Sequence, residues 1–398
     1  MPSNIVVVGG SVAGVEALLA LRSAGYDGRL TLVGADPELP YNPTPLSKEL
    51  LSGEMDEDDI RLLPEEEFDD LDVNLLLGTP AQALHLGSRT VRVGGSLLAY
   101  DGLIIATGSE AVRPQGWFGL DGVHTLRTLD DARRVRQAMS TGSPSVVVVG
   151  AGFIGCEIAA AARHFGLDVT LVEAAPTALQ RAVPAHLAAP VVSLQRANGV
   201  RVVCGVGVAG ILGSERVDKV EFTDGTVLDA DLVVVGVGAV PATRWLADSG
   251  LAVDDGVITD ATLRTTAPGV YAVGDAARWP HPGTGGSIRV EHWTNAREQG
   301  KRAALNLLDP EAAQPYAGVP YVWSDLFGKR FQLAGTAHAE HVHFLDGGPA
   351  AESYLALLGD GSRVVGAVGF GGSPRPFNQA RRLVAAGAPW HEAVSQHE

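Results

Sequence analysis

Apolar and polar positions along this chain alternate between a strand period and a helix period. Ile5–Val8 is a short β-branched run that stops at Gly9-Gly10. Val12–Arg22 follows, with Val15, Leu18, Leu19 and Leu21 at helical spacing, and Gly25 lies just beyond it as a C-terminal stop. Leu30–Val33 is the next apolar run, so the order is strand, glycine turn, helix, strand, the unit of a parallel sheet. The same unit recurs as a strand over Ser145–Val149, a glycine turn over Gly150–Gly155, a helix over Cys156–Phe165 and a strand over Val169–Val172. Further apolar strands, Leu103–Ala106, Leu232–Val235 and Val270–Val273, run into Thr107-Gly108, Gly236 and Gly274-Asp275. After about Gly318 the character changes. Tyr321–Trp323, Phe331–Leu333, Tyr354–Leu358 and Val364–Val368 read as short strands, followed by a helix near Pro376–Ala386. The expected fold class is therefore α/β, with two Rossmann-like domains and a small α+β C-terminal domain.

The glycine turns carry the first chemistry. Gly9-Gly10-Ser11-Val12-Ala13-Gly14 follows the G-x-G-x-x-G template except that Ser11 takes the middle glycine's place, whereas Gly150-Ala151-Gly152-Phe153-Ile154-Gly155 matches it fully. Such a turn brings the backbone close to a pyrophosphate and presents free N–H groups of the helix start to it. In the second unit Glu173, at the end of the following strand, has the place and chemistry to accept both ribose hydroxyls of NAD and to repel the extra phosphate of NADP. In the first unit Ala35 stands where an acid is expected, and Asp36 beside it is the candidate for the adenosine ribose.

Composition narrows the classes. With 398 residues, 46% of them hydrophobic and 19% charged, the chain is a folded protein of more than one domain. A net charge of −16 excludes a nucleic-acid binder, which needs a basic footprint. Part of that acidity is one run, Glu54 to Asp70, read as a solvated face. The two cysteines, Cys156 and Cys204, form neither a CxxC pair nor a zinc site. The N-terminus lacks a signal-peptide pattern and no apolar run reaches the roughly 18 residues of a membrane span, so a reducing cytoplasm and no membrane are expected.

Six motifs in order give the chain a family resemblance. Pro40-Tyr41 with Pro45-Leu46-Ser47-Lys48, Ala106-Thr107-Gly108, Gly152-Phe153-Ile154-Gly155 with Glu157, Gly274-Asp275, Glu291-His292-Trp293 with Asn295-Ala296, and Trp323-Ser324-Asp325 resemble the oxygenase-coupled NADH:ferredoxin reductases, within the glutathione-reductase-like flavoproteins. The resemblance implies an FAD domain over 1–110 and 238–317, an NAD domain over 111–237 and a C-terminal interface domain over 318–398. It implies that Asp275 binds the FAD ribitol, that Lys48 lies beside the flavin and pairs with Glu157, and that Trp293 and Trp323 line the isoalloxazine pocket. Ala106, Thr107, Gly108, Glu291, His292 and Gly238 join the expected cofactor-binding set. Thr44-Pro45 reads as the N-cap and first residue of a helix carrying Lys48 in its first turns.

The chain departs from the family pattern at Pro43-Thr44, where Arg-Pro is usual, at Ala242, where Asn is frequent, and at Leu326, where Gln is. The implied reaction takes hydride from NADH onto FAD and passes single electrons to a [2Fe–2S] ferredoxin. Docking an acidic ferredoxin requires a local basic patch, for which Arg289, Arg297, Lys301, Arg302, Lys329 and Arg330 are candidates. An NADH-dependent quinone or rubredoxin reductase and a non-catalytic FAD/NADH redox sensor are the alternatives, and monomer and homodimer both stay open.

Overall fold

The computed structural model describes residues 2–283, 285–337 and 339–395. The chain divides into two compact units, one of Met1–Pro43, Glu57–Glu110 and Val240–Pro320, the other of Thr44–Asp56, Ala111–Ala239 and Tyr321–Glu398. The short segment Thr44–Asp56 thus folds with the second unit, as do the residues from Tyr321 onward.

The first unit is built on a five-stranded parallel sheet in the order Val270–Ala272, Gly102–Ile105, Asn4–Val8, Arg29–Val33, Val73–Leu76. Its strands are runs of valine, isoleucine and leucine because both faces are covered. Ile5 and Val7 enter one core with the helices Val12–Ser23 and Trp293–Leu308, while Val6 and Val8 enter the other, under an antiparallel layer of Ala81–His85, Thr90–Val93 and Ser96–Ala99. The two helices lie close: a Cβ at Gly300 would collide with the Ala13 carbonyl. Asn4–Val8 has the second strand on one side and a later one on the other. Its C-terminal end is therefore a topological switch point, the place where open α/β sheets bind ligands.

The second unit repeats this plan. Its parallel sheet runs Val200–Cys204, Val169–Glu173, Val146–Val149, Leu232–Val235, Val123–His124. Val147 and Val149 face an antiparallel layer formed by Val208–Gly213, Val217–Phe222 and Val227–Asp229. Val146 and Val148 face a larger core containing the helix Phe153–His164, Leu51 of the Thr44–Asp56 segment, and Leu326, Phe331, Tyr354 and Phe370. The last four belong to a five-stranded antiparallel sheet, ordered Tyr321–Leu326, Lys329–Gly335, Val364–Phe370, Tyr354–Gly359, His341–Gly347, with the helix Pro374–Ala386 against it through Phe377 and Ala380. The strand His341–Gly347 escaped the sequence reading because its polar residues and half-buried edge position blur the alternation. No described helix is long and apolar enough to cross a membrane.

The antiparallel sheet is tied to the parallel part of its own unit by more than apolar packing. The buried Tyr354 hydroxyl donates to the Leu187 carbonyl at 2.6 Å. Tyr354→Phe leaves that carbonyl without its donor and is expected to cost about 1–2 kcal/mol, read in urea unfolding as a lower midpoint at unchanged slope.

Candidate functional site

In the first unit the turn after Asn4–Val8 is shaped by close backbone packing. Gly9 sits at φ +124°, and a Cβ there would run into the Ala106 carbonyl; one at Gly14 would run into the carbonyl of Gly9. Ser11 is extended, at φ −129° and ψ −161°, a conformation open to any residue. No side chain caps the helix Val12–Ser23 and no acid occupies its first turn, which leaves its N–H groups for an anion.

Around this turn the expected residues converge. Thr107 donates its hydroxyl to the Ala242 carbonyl at 2.8 Å, and Gly108 takes φ +67°. Gly274, at φ +66°, donates its N–H to Gln299 Oε1 at 2.8 Å, and a Cβ on it would lie 3.4 Å from that of Ala13. Asp275 Oδ2 accepts from the Ser109 hydroxyl at 2.9 Å. At the start of the helix Trp293–Leu308, the buried polar atoms His292 Nδ1, Asn295 Oδ1 and Gln299 Nε2 have no protein partner. Burial pushes the His292 imidazole down to about 4, so the ring is neutral at pH 7. An uncapped helix start beside unsatisfied polar atoms suits a dinucleotide with a polar ring system, which is what FAD is.

Asp36 stands two positions past the register counterpart of Glu173. Gly9 and Gly150 donate to Val33 and Val172 at 2.7 Å each, so the register counterpart of Glu173 is Gly34. The Asp36 carboxylate accepts instead from the Tyr41 hydroxyl at 2.7 Å and the Glu38 N–H at 3.2 Å.

The second turn repeats the geometry. A Cβ at Gly150 would collide with the Gly236 carbonyl and one at Gly155 with the Gly150 carbonyl. A Cβ at Gly152 would meet nothing, so its bare backbone serves no packing need of the chain. Phe153 and Ile154 open the helix, Phe153 packing on Phe331 at 5.6 Å while Ile154 is exposed. Glu173 accepts from the Ala151 N–H at 2.8 Å through one oxygen and from the Ala175 N–H at 2.9 Å through the other, each oxygen keeping a lone pair. Gly238 takes φ +123°, with the guanidinium of Arg181 within 3.4 Å of where its Cβ would be.

Lys48 and Glu157 do meet, Nζ to Oε1 at 3.1 Å, with side chains 12% and 2% exposed. The helix expected to carry Lys48 is not continuous. Thr44–Ser47 is a 3₁₀ turn, closed by the Lys48 N–H on the Pro45 carbonyl at 3.0 Å, and a short helix, Glu49–Ser52, starts after Lys48, which breaks the run at φ −125° and ψ −106°. Glu157 also accepts from the Ser47 hydroxyl at 2.5 Å and the Ser324 hydroxyl at 2.6 Å, two partners the sequence did not reveal. Burial raises the Glu157 carboxyl, opposed by Lys48 and then by the two serines.

Trp293 lies under Arg297 at 5.6 Å, and Trp323 stacks on Tyr321 at 5.6 Å. The expected basic patch is largely neutralised. Arg289, 12% exposed, is tied to Glu291 at 2.5 Å and Asp255 at 3.0 Å; Arg297 pairs with Glu16, Lys329 with Glu352 and Arg330 with Asp325. Among the described residues Lys301 and Arg302 form no ion pair, and no cluster of His, Cys, Asp or Glu could hold a metal ion. Cys156 is fully buried, which pushes its thiol far up and leaves it unreactive, and Cys204 is free.

Comparison with known proteins places this geometry. Residues 3–300 match the pyridine nucleotide-disulphide oxidoreductase family and residues 321–396 the reductase C-terminal family. Rhodocoxin reductase of Rhodococcus erythropolis is 36% identical over 389 residues, covering 97% of this chain and 90% of its own. The benzene 1,2-dioxygenase system ferredoxin–NAD(+) reductase subunit of Pseudomonas putida is 34% identical over 391 residues, covering 97% and 93%. The crystal structure of the covalent putidaredoxin reductase–putidaredoxin complex superposes with a TM-score of 0.92 at 30% identity, covering 97% of this chain and 94% of that one.

The neutral His292 makes acid stability testable. The folded state holds the ring below its unfolded value of 6.5, so unfolding takes up a proton between about pH 6.5 and 4 and stability falls as pH drops through that window. His292→Gln should remove about 2–3 kcal/mol of that acid loss, measured as the difference in unfolding free energy between pH 7 and pH 4.

Proposed function

The chain belongs to the pyridine nucleotide-disulphide oxidoreductase family, and from that membership we propose that it is an FAD-dependent NADH:ferredoxin oxidoreductase, feeding electrons through a [2Fe–2S] ferredoxin to a Rieske oxygenase or a cytochrome P450 in the cytoplasm. The observation that carries the reading is the pairing of two uncapped glycine turns, one at the head of each parallel sheet, with the lack of any thiol pair. The disulfide reductases that share these folds need such a pair to receive electrons; without one, the electrons leave by outer-sphere transfer to a partner, to a quinone or to O2.

FAD, when bound, supplies the hydride acceptor and divides an electron pair into single electrons. The chain's own residues supply binding, orientation and charge. In the first unit Gly9, Ser11 and Gly14 take the FAD pyrophosphate, and Ala106, Thr107, Gly108, Gly274 and Asp275 shape the floor of the same cradle. Glu291, His292 and Trp293 present the start of a helix to the ring system. In the second unit Gly150, Gly152, Phe153, Ile154 and Gly155 take the NADH pyrophosphate, with Gly238 at the neighbouring turn. Glu173, already fixed by two backbone N–H groups, directs its remaining lone pairs to the ribose hydroxyls. The Lys48 ammonium, held by Glu157, favours an electron-rich reduced flavin. Trp293 and Trp323 are assigned to the flavin environment, and the organisation into FAD-, NAD- and C-terminal interface domains belongs to the same reading. An acidic ferredoxin meets a chain of net charge −16, so its docking depends on local cations such as Lys301 and Arg302.

NADH-dependent cytochrome c reduction should be rapid only when a [2Fe–2S] ferredoxin is added; equal rates with quinone and no ferredoxin would replace this reading. Glu173→Ala should narrow the preference for NADH over NADPH by about tenfold or more, about 1.4 kcal/mol, as the ratio of kcat/KM values; an unmoved ratio takes Glu173 out of the nucleotide site.

A further inference from the structure

Glu157 receives more hydrogen bonds than an ion pair needs. Its carboxylate is 2% exposed, and a carboxylate so buried persists only if its lone pairs are used. Lys48 supplies one bond, at 3.1 Å to Oε1. The others come from hydroxyls: Ser324 to the same oxygen at 2.6 Å and Ser47 to Oε2 at 2.5 Å, both serines buried. The donors arrive from two elements packed on the helix Phe153–His164, the turn Thr44–Ser47 with Lys48 after it, and the edge strand Tyr321–Leu326 of the C-terminal sheet.

We propose that Ser47 and Ser324 are positioning residues for the reductase reaction: their hydroxyls hold Glu157 as the carboxylate and thereby fix the Lys48 ammonium, making the C-terminal sheet part of the charge state of the pair. This rests on the role given to Lys48 above. Hydroxyls suit the task because they stabilise the anion without adding charge that would compete with the lysine. The other titratable groups nearby do not take it over. Cys156, next to Glu157 on its helix, is a neutral thiol. On the edge strand Asp325 is consumed by Arg330 through two bonds, at 2.7 and 2.9 Å, and Glu49, following Lys48, also interacts with Arg330. Lys48 is thus the single cation that meets the Glu157 carboxylate among the described residues.

The test is a pH titration of Glu157 by NMR on protein labelled with ¹³C at the glutamate Cδ, its signal assigned by loss in Glu157→Gln. In Ser324→Ala and in Ser47→Ala the midpoint should rise by about one pH unit or more, a tenfold gain in proton affinity. The acid limb of NADH-driven flavin reduction should move up with it while FAD content stays constant. Ser324→Thr and Ser47→Thr, which keep the hydroxyl, should restore the starting midpoint. If Ser324→Ala does not fold, Ser47→Ala alone decides. Unmoved midpoints in the alanine variants overturn the proposal, as does a rate loss equal at every pH. A raised midpoint in a protein that reduces no ferredoxin upholds the serine assignment and removes the proposed partner instead.

Discussion

Both glycine turns need glycine because a backbone carbonyl occupies the space where a side chain would be. The Ala106 carbonyl fills that space at Gly9, and the Gly236 carbonyl fills it at Gly150. Each contact joins the end of the central strand to the end of its neighbour, and each is reinforced from one helical turn on, where Gly14 and Gly155 sit against the carbonyls of Gly9 and Gly150. Once the chain is compressed in this way, the helix start has nowhere to point but outward from the sheet's carboxyl edge, with its N–H groups unspent.

The two units solve the same problem with different side chains around the turn. In the second, Glu173 closes the loop by accepting from Ala151 and Ala175 and keeps a lone pair on each oxygen. In the first, the equivalent place is Gly34, and the carboxylate of Asp36 is turned to Tyr41. A carboxylate at the end of the second strand is thus a feature of the second turn and not of the first, where Asp275 and the start of the helix Trp293–Leu308 bring polar groups.

Charge is arranged with the same economy. The chain is strongly acidic, yet the cations expected to attract a partner are mostly consumed by neighbouring carboxylates, Arg289 by two of them. The exposed pairs among them, such as Arg330–Asp325, contribute little to stability. The buried Lys48–Glu157 pair is different in kind, because desolvation makes each partner dependent on the other and on the hydroxyls beside it.

The sequence by itself determined the two βαβ units and the positions of both glycine turns. These are local properties, set by sterics and periodicity within some thirty residues. It also brought Lys48 and Glu157 together, though only through resemblance, since 109 positions separate them. Tertiary structure alone decided that Thr44–Asp56 folds with the second unit and that Lys48 stands at a break between a 3₁₀ turn and a helix. It also decided that Ser324, 167 positions from Glu157, completes the carboxylate's hydrogen bonds and that Arg289 is spent internally. No periodicity records which hydroxyl or carboxylate a distant charge will meet, because that depends on how separately specified elements pack, and the energies that select it are those of desolvation and hydrogen bonding.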